Sequence, residues 1–262
     1  GIDNVYFSLL DKIWSPEVKV ISFDVFDTLV SRPFAKPMDI FVMLNKPFTQ
    51  LFGIKSYVDF ASIRHNSEER CHKIWKSLKP GVEEPRLDDI YNEISSTYGY
   101  DREKLRIIEQ LEIQNLIRFS FPRKSGCELF ELAKSAGKKV ILVSDMYLPR
   151  SCIEAVLQKC GISGYDKLYL SNEYHLTKHS GRLYRVIARD LDGIAKGRQI
   201  LHIGDNYDSD VKRAQEAGFD TQHFPAAIGL FQGRNPGIYT GKSFSKIFDI
   251  ADRYTDMNLS YY

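Results

Sequence analysis

The sequence has few cysteines, and none of them lies at the spacing of a metal site. Cys71, Cys127, Cys152 and Cys160 form no CxxC pair and no zinc-type combination with histidine. Scattered thiols of this kind are typical of reduced, cytosolic proteins. We therefore expect free thiols, no disulfide bond and a cytoplasmic location.

The sequence also lacks a strong excess of positive or negative charge, and it contains no long apolar run. The 36 basic and 34 acidic residues leave a net charge of +2, and no basic block stands out, which argues against nucleic acid as a partner. The longest apolar runs, residues 18–23 and 140–143, are far shorter than the ~20 residues of a membrane-spanning helix. The first residues do not combine a basic region with an apolar one, so no secretion signal is predicted. We expect a soluble protein without a membrane span.

The composition that is present is that of an ordinary globular protein. Of its 262 residues, 43% are apolar and 27% are charged. A chain of this length has room for one large domain, or for a core domain that carries a smaller insert. We find no internal repeat and no low-complexity segment, so a repeat architecture is not predicted.

The apolar pattern changes twice along the chain. Residues 18–24 form a nearly continuous apolar, β-rich run, as in a parallel strand that is buried on both faces. Residues 33–121 show helical spacing and no convincing strand. After Pro122, strand-like and helical segments alternate up to a last strand at 221–224. This order predicts an α/β fold with a doubly wound parallel sheet.

The domain organisation follows from the same pattern. We expect residues 1–32 and 122–262 to form the α/β core, with a final helix at 244–254. An all-helical domain at 33–121 is then inserted directly after the first strand. A block of this size at that place is more typical of an active-site lid than of a loop.

Polar side chains follow the predicted strands where each of them ends. Asp24 ends the first strand, Ser144 ends the strand VILVS, Lys178 follows the next strand, and Asp205 and Asp210 follow ILHIG. Ligands of open α/β sheets bind outside the carboxyl ends of the strands. Carboxylates, a lysine and a hydroxyl at this edge suit a phosphate group held against Mg²⁺.

These segments resemble the four ordered motifs of the haloacid dehalogenase (HAD) superfamily of phosphatases and their relatives. The first motif, D-x-D-x-T-L after an apolar strand, corresponds to Asp24-Val-Phe-Asp-Thr-Leu. The second is Ser144, the third is Lys178 in LTKHSGRLY, and the fourth is GDNYDSD. The resemblance covers essentially the whole chain in outline. It implies a HAD-like Rossmannoid core, and the helical insert resembles a C1-type cap.

The resemblance implies catalytic roles for three residues. Asp24 is expected to attack phosphorus and to form an aspartyl-phosphate. Ser144 and Lys178 are expected to hold the phosphoryl oxygens while charge spreads over them. The activity so implied is that of a Mg²⁺-dependent hydrolase, a phosphatase or phosphotransferase that acts on a small phosphorylated metabolite.

It also implies a metal site. Asp205 is expected to bind Mg²⁺ together with Asp24 and the backbone carbonyl of Phe26, while Asp210 supports the metal or Lys178.

Three further residues are expected on the substrate side of the site. These substrate-binding candidates are Thr28, Asp145 and Asn206, and Thr28 is also expected to brace the loop after the first strand. The same stretch GDNYDSD leaves open that Asp208 merely caps the helix that follows.

Phe26 departs from the phosphatase pattern. Phosphatases of this superfamily carry a second aspartate at this position, which protonates the leaving group, and a general acid contributes about 10² to 10⁴-fold in rate. Haloacid dehalogenases have an aromatic residue there but lack the metal-binding Gly-Asp, which this chain retains as Gly204-Asp205. Three alternatives stay open: a hydrolase that uses Asp27 or Asp145 as proton donor, a domain that only binds ligand or partner, and a metal-independent dehalogenase.

The substrate is less well indicated than the reaction. The stretches SFDVFDTLVSRP and VSDMYLPR resemble a bacterial branch of the superfamily that is associated with surface-polysaccharide biosynthesis. That resemblance makes a sugar phosphate or a nucleotide sugar a reasonable substrate. It also leaves open that the chain is part of a longer protein, or associates with a glycosyltransferase-type domain.

Other charged and aromatic residues are interpreted as structural. We expect His202, inside the strand LHIG, to be a buried histidine with its hydrogen bonds satisfied. Arg32 and Arg64 are expected in surface salt bridges, with contact to substrate as the alternative. The aromatic residues of the insert are expected in its core, namely Phe41, Phe48, Phe52 and Trp75.

Overall fold

The computed structural model describes residues 2–34, 36–78 and 80–227. The described residues form one compact unit up to Phe224, and a second unit begins at Pro225. The helix expected at 244–254 lies outside the described residues. The strands found in the described residues are β1 (Val20–Asp24), β2 (Val30–Ser31), β3 (Phe121–Pro122), β4 (Lys139–Ser144), β5 (Lys167–Leu170), β6 (Ile200–Gly204) and β7 (Asp220–His223).

Helices separate these strands in the predicted alternation. The α-helices are α1 (Ile2–Trp14), α2 (Asn45–Leu51), α3 (Phe60–Leu78), α4 (Leu87–Tyr98), α5 (Arg102–Phe119), α6 (Lys124–Ser135), α7 (Arg150–Lys159), α8 (Ser171–Tyr174), α9 (Arg182–Asp190) and α10 (Arg213–Glu216). Short 3₁₀ helices lie at Pro37–Leu44 and Gly197–Gln199, and a π-helix lies at Tyr207–Lys212. Among the helices of the described ranges, none combines the length and the apolar character needed to cross a membrane.

The central sheet is parallel, with β1 in its middle. Its strand order is β5-β4-β1-β6-β7. All residues of β1 and β6 are buried, as expected for strands that are covered on both faces. The register places Asp24 beside Val143, and Phe23 beside Ile203. The carboxyl ends of β1, β4 and β6 therefore lie side by side, and the predicted doubly wound parallel sheet is confirmed.

A short antiparallel pair closes the base of the helical segment at residues 37–119, called the insert below. Val30 of β2 pairs with Pro122 of β3, and Ser31 pairs with Phe121. The chain therefore leaves the core and returns to it at one place. No strand is predicted here from the sequence, because a two-residue pairing that includes a proline is too short to show an alternating pattern.

Aromatic residues form much of the core of the insert. Phe48 is buried and stacks on Phe60 with their ring centroids 4.4 Å apart. Phe52 packs against the same Phe48 ring at 4.7 Å but is half-buried, as is Trp75. The core position expected for the aromatic residues is thus confirmed for Phe41 and Phe48, while the other two lie at its edge.

Arg64 overturns one sequence-based expectation, since it lies inside the insert and not on the surface. Its side chain is fully buried, and its Nε and Nη2 donate to the carboxylate of Glu112 at 2.9 and 2.8 Å. The ring of Phe41 lies 4.3 Å from the guanidinium carbon, and the Tyr91 hydroxyl donates to Glu112 at 2.7 Å. Helical spacing does not reveal such a pair, because each charge taken singly is typical of a solvent-exposed helix face.

Candidate active site

The carboxyl ends of β1, β4 and β6 line a cavity of about 390 Å³, called the active-site cavity below. Most of the site residues expected from the sequence meet there. The members of that set that line the cavity are Asp24, Phe26, Ser144, Asp145, Lys178, Asp205, Asn206 and Asp210. Residues more than a hundred positions apart are thus brought to one edge of the sheet.

Lys178 joins two of the expected carboxylates. Its ammonium donates to Asp24 Oδ1 at 2.5 Å and to Asp210 Oδ1 at 2.6 Å, and all three side chains are buried. Burial by itself lowers the pKa of Lys178, but the charges of Asp210 and Asp24 outweigh it and hold the pKa well above its usual value. The lysine therefore remains a cation between the two acids.

The two carboxyl groups respond differently to the same environment. Burial raises the pKa of Asp24 well above its usual value, although the charge of Lys178 opposes the shift. Burial also acts to raise the pKa of Asp210, but the Lys178 charge and the hydrogen bond from His202 hold it below its usual value. Asp210 is therefore the permanent anion of the site.

The loop after β1 presents Asp24 through a tight turn. Asp27 adopts the left-handed conformation with φ of 62°, and its amide donates to the carbonyl of Val30 at 2.6 Å. The Thr28 hydroxyl then donates to Asp24 Oδ2 at 3.0 Å. Thr28 is fully buried and is not among the described residues that line the cavity, so its contacts support the bracing role rather than substrate contact.

Helix α6 packs directly on this turn. A Cβ atom on Gly126 would meet the carbonyl oxygen of Thr28 at 1.9 Å, so only glycine permits the approach. The helix thereby fixes the turn that carries Thr28 and, through it, the orientation of the Asp24 carboxylate.

Asp145 holds the loop that carries Lys178. Its two carboxylate oxygens accept from the backbone amides of Lys178 at 2.7 Å and His179 at 3.1 Å. Burial nevertheless raises the pKa of Asp145. Because both oxygens are engaged as acceptors from backbone amides, Asp145 is poorly arranged to donate a proton. Ser144, one residue earlier, is buried and lines the cavity.

The fourth motif folds around Asp210. A Cβ on Gly204 would lie 2.3 Å from the carboxyl carbon of Asp210, which explains the glycine at the end of β6. The amide of Asn206 donates to Asp210 Oδ2 at 3.0 Å, and the Asn206 side chain accepts from the amides of Asp208 and Ser209. Asn206 is therefore the residue that caps the following helix, and the alternative that Asp208 caps it is wrong.

His202 extends the site into the sheet. Its Nε2 lies 3.1 Å from Asp210 Oδ1 and its Nδ1 lies 2.7 Å from the Ser22 hydroxyl. Burial lowers the pKa of His202, which favours the neutral imidazole. The expectation of a buried, satisfied histidine is confirmed. Its role in orienting Asp210 was not foreseen, since a histidine inside a strand gives no sign of its partner.

Phe26 occupies the position of the missing acid and is covered by an arginine. The guanidinium carbon of Arg32 lies 4.7 Å from the centre of the Phe26 ring, and Arg32 also donates to Asp27 Oδ2 at 2.8 Å. The salt bridge expected of Arg32 is present, and the side chain also lines the cavity. Asp27 itself is not among the described residues that line it, and its carboxylate is paired.

The insert contributes a second set of side chains to the active-site cavity. Glu68 and His72 on α3 line it, as does Glu84 in the loop between α3 and α4. A neighbouring cavity of about 460 Å³ shares His72, Glu84, Asp145 and His179 with it. The sequence alone gives no signal for these residues, because they belong to no recognisable motif.

The carboxylates of the sheet edge fit a divalent metal ion. Oxygen atoms of Asp24, Asp205 and Asp210 lie within 4.8 Å of one another. Burial raises the pKa of Asp205 to about 6, with a further contribution from the charge of Asp210. Three carboxylates facing one lysine leave an excess of negative charge, and carboxylate oxygens are the donors that Mg²⁺ prefers.

Comparison with known proteins places this site in a family. A family model described as haloacid dehalogenase-like hydrolase matches residues 18–218. No curated protein shows a significant match to the chain.

Several solved structures share the fold at low sequence identity. L-2-haloacid dehalogenase from Xanthobacter autotrophicus is 14% identical with a TM-score of 0.55, and the match covers 88% of each chain. YfnB from Bacillus subtilis, bound to magnesium, is 16% identical with a TM-score of 0.53, covering 78% of this chain and 87% of that one. The HAD family enzyme bt-2542 from Bacteroides thetaiotaomicron, in complex with magnesium and inorganic phosphate, is 14% identical with a TM-score of 0.51, covering 80% and 96%. The family match extends over most of the chain, and the chain belongs to the haloacid dehalogenase-like hydrolase family.

Proposed function

We propose that this protein is a Mg²⁺-dependent phosphohydrolase that acts on a small phosphorylated metabolite through an aspartyl-phosphate. One observation carries the proposal: Lys178 binds Asp24 and Asp210 together, with Asp205 beside them, at the carboxyl edge of a parallel sheet. A dehalogenase acting without a metal has no need of the metal-binding Asp205 that follows β6. A site that transfers phosphate with Mg²⁺ uses it as a ligand.

The chemistry follows from the positions of the buried groups. An Asp24 carboxylate oxygen attacks phosphorus, and the bond from phosphorus to the leaving-group oxygen breaks. Lys178 and Ser144 offer hydrogen bonds to the phosphoryl oxygens on which negative charge accumulates. Thr28 keeps the attacking carboxylate oriented by its hydrogen bond of 3.0 Å. Water then attacks the aspartyl-phosphate and releases inorganic phosphate.

The metal ion would be held by side chains that the structure already brings together. Asp24, Asp205 and Asp210 would be its carboxylate ligands, together with the backbone carbonyl of Phe26. When bound, Mg²⁺ neutralises charge on the phosphate and orients it toward the nucleophile. Two of the structural neighbours, one of them with inorganic phosphate, were solved with magnesium, which supports this choice of metal.

The insert is proposed to act as a C1-type cap over residues 33–121. It supplies Glu68, His72 and Glu84 to the active-site cavity, so it contacts whatever is bound there. The polysaccharide-related substrate, a sugar phosphate above all, stays a prediction from motif resemblance. So do the association with a glycosyltransferase-type domain and the cytoplasmic location.

Phe26 favours a second candidate, a domain that binds a phosphorylated ligand without turning it over. The side chain that would protonate the leaving group is absent from that position, and Arg32 covers the ring. The two candidates differ in one measurable respect, because only the first releases phosphate.

The test is phosphate release from sugar phosphates, nucleotides and 4-nitrophenyl phosphate, with Mg²⁺ and with chelator. Wild type is compared with Asp24→Asn and with Asp208→Asn, a matched change at an exposed residue that pairs with Lys212. We expect Mg²⁺-dependent release that is lost in Asp24→Asn and kept in Asp208→Asn. If protein shown to bind Mg²⁺ releases no phosphate from any compound, the binding domain is the correct candidate.

A further inference from the structure

Glu84 is a buried acid in the active-site cavity that the mechanism above does not use. Its residue is 7% exposed, and it lines both the active-site cavity and the neighbouring one. Burial raises its pKa well above the usual value, and the charges of Asp145 and Glu68 raise it further, against a hydrogen bond with Ser171. This raised pKa favours the protonated carboxyl group, in a cavity that also contains Asp24.

The backbone on each side of Glu84 is hydrogen-bonded to the two segments that carry Lys178 and Ser144. The amide of Glu83 donates to the carbonyl of His175 at 2.8 Å, in the segment that leads to Lys178. The amide of Leu87 donates to the carbonyl of Tyr147 at 3.0 Å, in the segment that follows Ser144. Glu84 is thus held between the loops that bind the phosphoryl group, although it belongs to the insert.

The Glu83 side chain strengthens the first of these anchors. Its Oε2 accepts from the amide of Thr177 at 2.9 Å and from the Ser180 hydroxyl at 2.6 Å, while Arg182 donates to its Oε1 at 3.0 Å. Together with His175, whose carbonyl accepts from the Glu83 amide, these three residues bind the loop around Lys178 and its flank to the residue directly before Glu84. Such a network restricts the positions open to the neighbouring side chain.

Three rival acids are less well arranged for donation. Both oxygens of Asp145 accept from backbone amides, and the carboxylate of Asp27 is paired with Arg32. Glu68, which also lines the cavity, accepts a hydrogen bond from Arg64 at 2.8 Å and is paired with it.

We propose that Glu84 protonates the leaving-group oxygen, in place of the acid that is missing at the position of Phe26. This inference rests on the proposed phosphohydrolase function and names the proton donor for that site.

The proton and the electron pairs balance over the two half-reactions. In the first, Asp24 forms a bond to phosphorus, the bond to the leaving-group oxygen breaks with its electron pair, and that oxygen takes the proton of Glu84. In the second, the Glu84 carboxylate takes a proton from the water that attacks phosphorus. The bond between phosphorus and Asp24 then breaks, which restores both side chains.

The experiment measures kcat/KM in the presence of Mg²⁺ for a series of aryl phosphates whose phenols have increasing pKa. A proton donor matters little for 4-nitrophenol and much for phenol, because the poorer leaving group needs the proton more. Glu84→Gln should lose about 100-fold or more against phenyl phosphate and little against 4-nitrophenyl phosphate. The dependence on leaving-group pKa therefore becomes steeper. Glu69→Gln, the same change at an exposed glutamate of the insert that pairs with His65, should leave the dependence as in wild type.

The outcomes separate the two proposals. If the wild-type protein hydrolyses no aryl phosphate, both the proposed phosphohydrolase function and the role of Glu84 as proton donor are refuted. If the wild-type protein is active but Glu84→Gln lowers kcat/KM for all aryl phosphates by the same factor, or leaves all of them unchanged, only the role of Glu84 is refuted. A dependence that also becomes steeper in Glu69→Gln refutes the role of Glu84 in the same way. Because burial favours the neutral form of this carboxyl group, Glu84→Met offers a second variant of similar length should Glu84→Gln not fold.

Discussion

Arg64→Met should destabilise the protein by about 3 to 5 kcal/mol, the cost of leaving the partner of a buried ion pair without its counter-charge. The side chains of Arg64 and Glu112 are 0% and 2% exposed, and two hydrogen bonds below 3.0 Å join them. Solvent therefore cannot screen the charge that remains on Glu112. For a protein of this size the loss corresponds to a melting temperature lower by roughly 6 to 20 °C.

The assay is guanidinium unfolding followed by circular dichroism and by tryptophan fluorescence. The matched control is Arg70→Met on the same helix. Arg70 is about one-third exposed and pairs with Glu93, so its loss should cost roughly 0 to 1 kcal/mol. The combination Arg64→Met/Glu112→Leu/Tyr91→Phe removes both charges and the hydroxyl that donates to Glu112, and it should recover most of the stability.

The stability recovered in the triple variant decides whether the unpaired charge of Glu112 causes the loss in Arg64→Met. If the triple variant is as unstable as Arg64→Met, the loss comes from packing around the guanidinium or from Glu68, which also loses its partner, and not from an uncompensated Glu112. An Arg64→Met variant with the stability of Arg70→Met would show that the pair contributes nothing.

Three further predictions concern the metal site, a glycine and the thiols. Mg²⁺ at about 100 times its Kd should stabilise wild type by about 2.7 kcal/mol in thermal unfolding, and this gain should vanish in Asp205→Asn and persist in Asp208→Asn. Gly204→Ala should abolish Mg²⁺-dependent stabilisation, because the added Cβ would lie 2.3 Å from the carboxyl carbon of Asp210; a variant with the wild-type Mg²⁺ response contradicts this. Burial raises the thiol pKa to about 12 for Cys71 and Cys152 and to about 11 for Cys127 and Cys160. Because the thiolate is the reactive form, iodoacetamide at neutral pH should label these cysteines only in unfolded protein, which mass spectrometry can show.

The sheet edge was predictable because its signals are local. Each parallel strand is a short apolar run, and the expected site residues lie at or shortly after the end of such a run, as Asp24 ends β1 and Ser144 ends β4. Parallel strands place these ends together whatever the length of chain between them. The positions of Lys178 and Asp210 follow from the same rule.

The contributions of the insert were not predictable in the same way. Helical spacing gives the helices of residues 37–119, but it does not say which polar residue meets which. Arg64 and Glu112 are 48 positions apart, and their pairing depends on how α3 packs against α5. Glu84 lies in a loop, where neither periodicity nor a motif marks it.

A proton donor on the insert would make the reaction depend on how the insert is docked. Asp24, Lys178 and Asp210 belong to the sheet edge and contact one another without help from the insert. Glu84 reaches the same cavity only because Glu83 and Leu87 are bonded to the loops around it. Loosening that contact would therefore leave the nucleophile and the phosphate-binding groups in place but remove the proton donor. In an enzyme with the acid at the position of Phe26, donor and nucleophile share one strand end and no such dependence arises. With Glu84 as the proton donor, Phe26 at the position of the acid thus predicts that cleavage of poor leaving groups depends on the hydrogen bonds of Glu83 and Leu87 to the loops of the core.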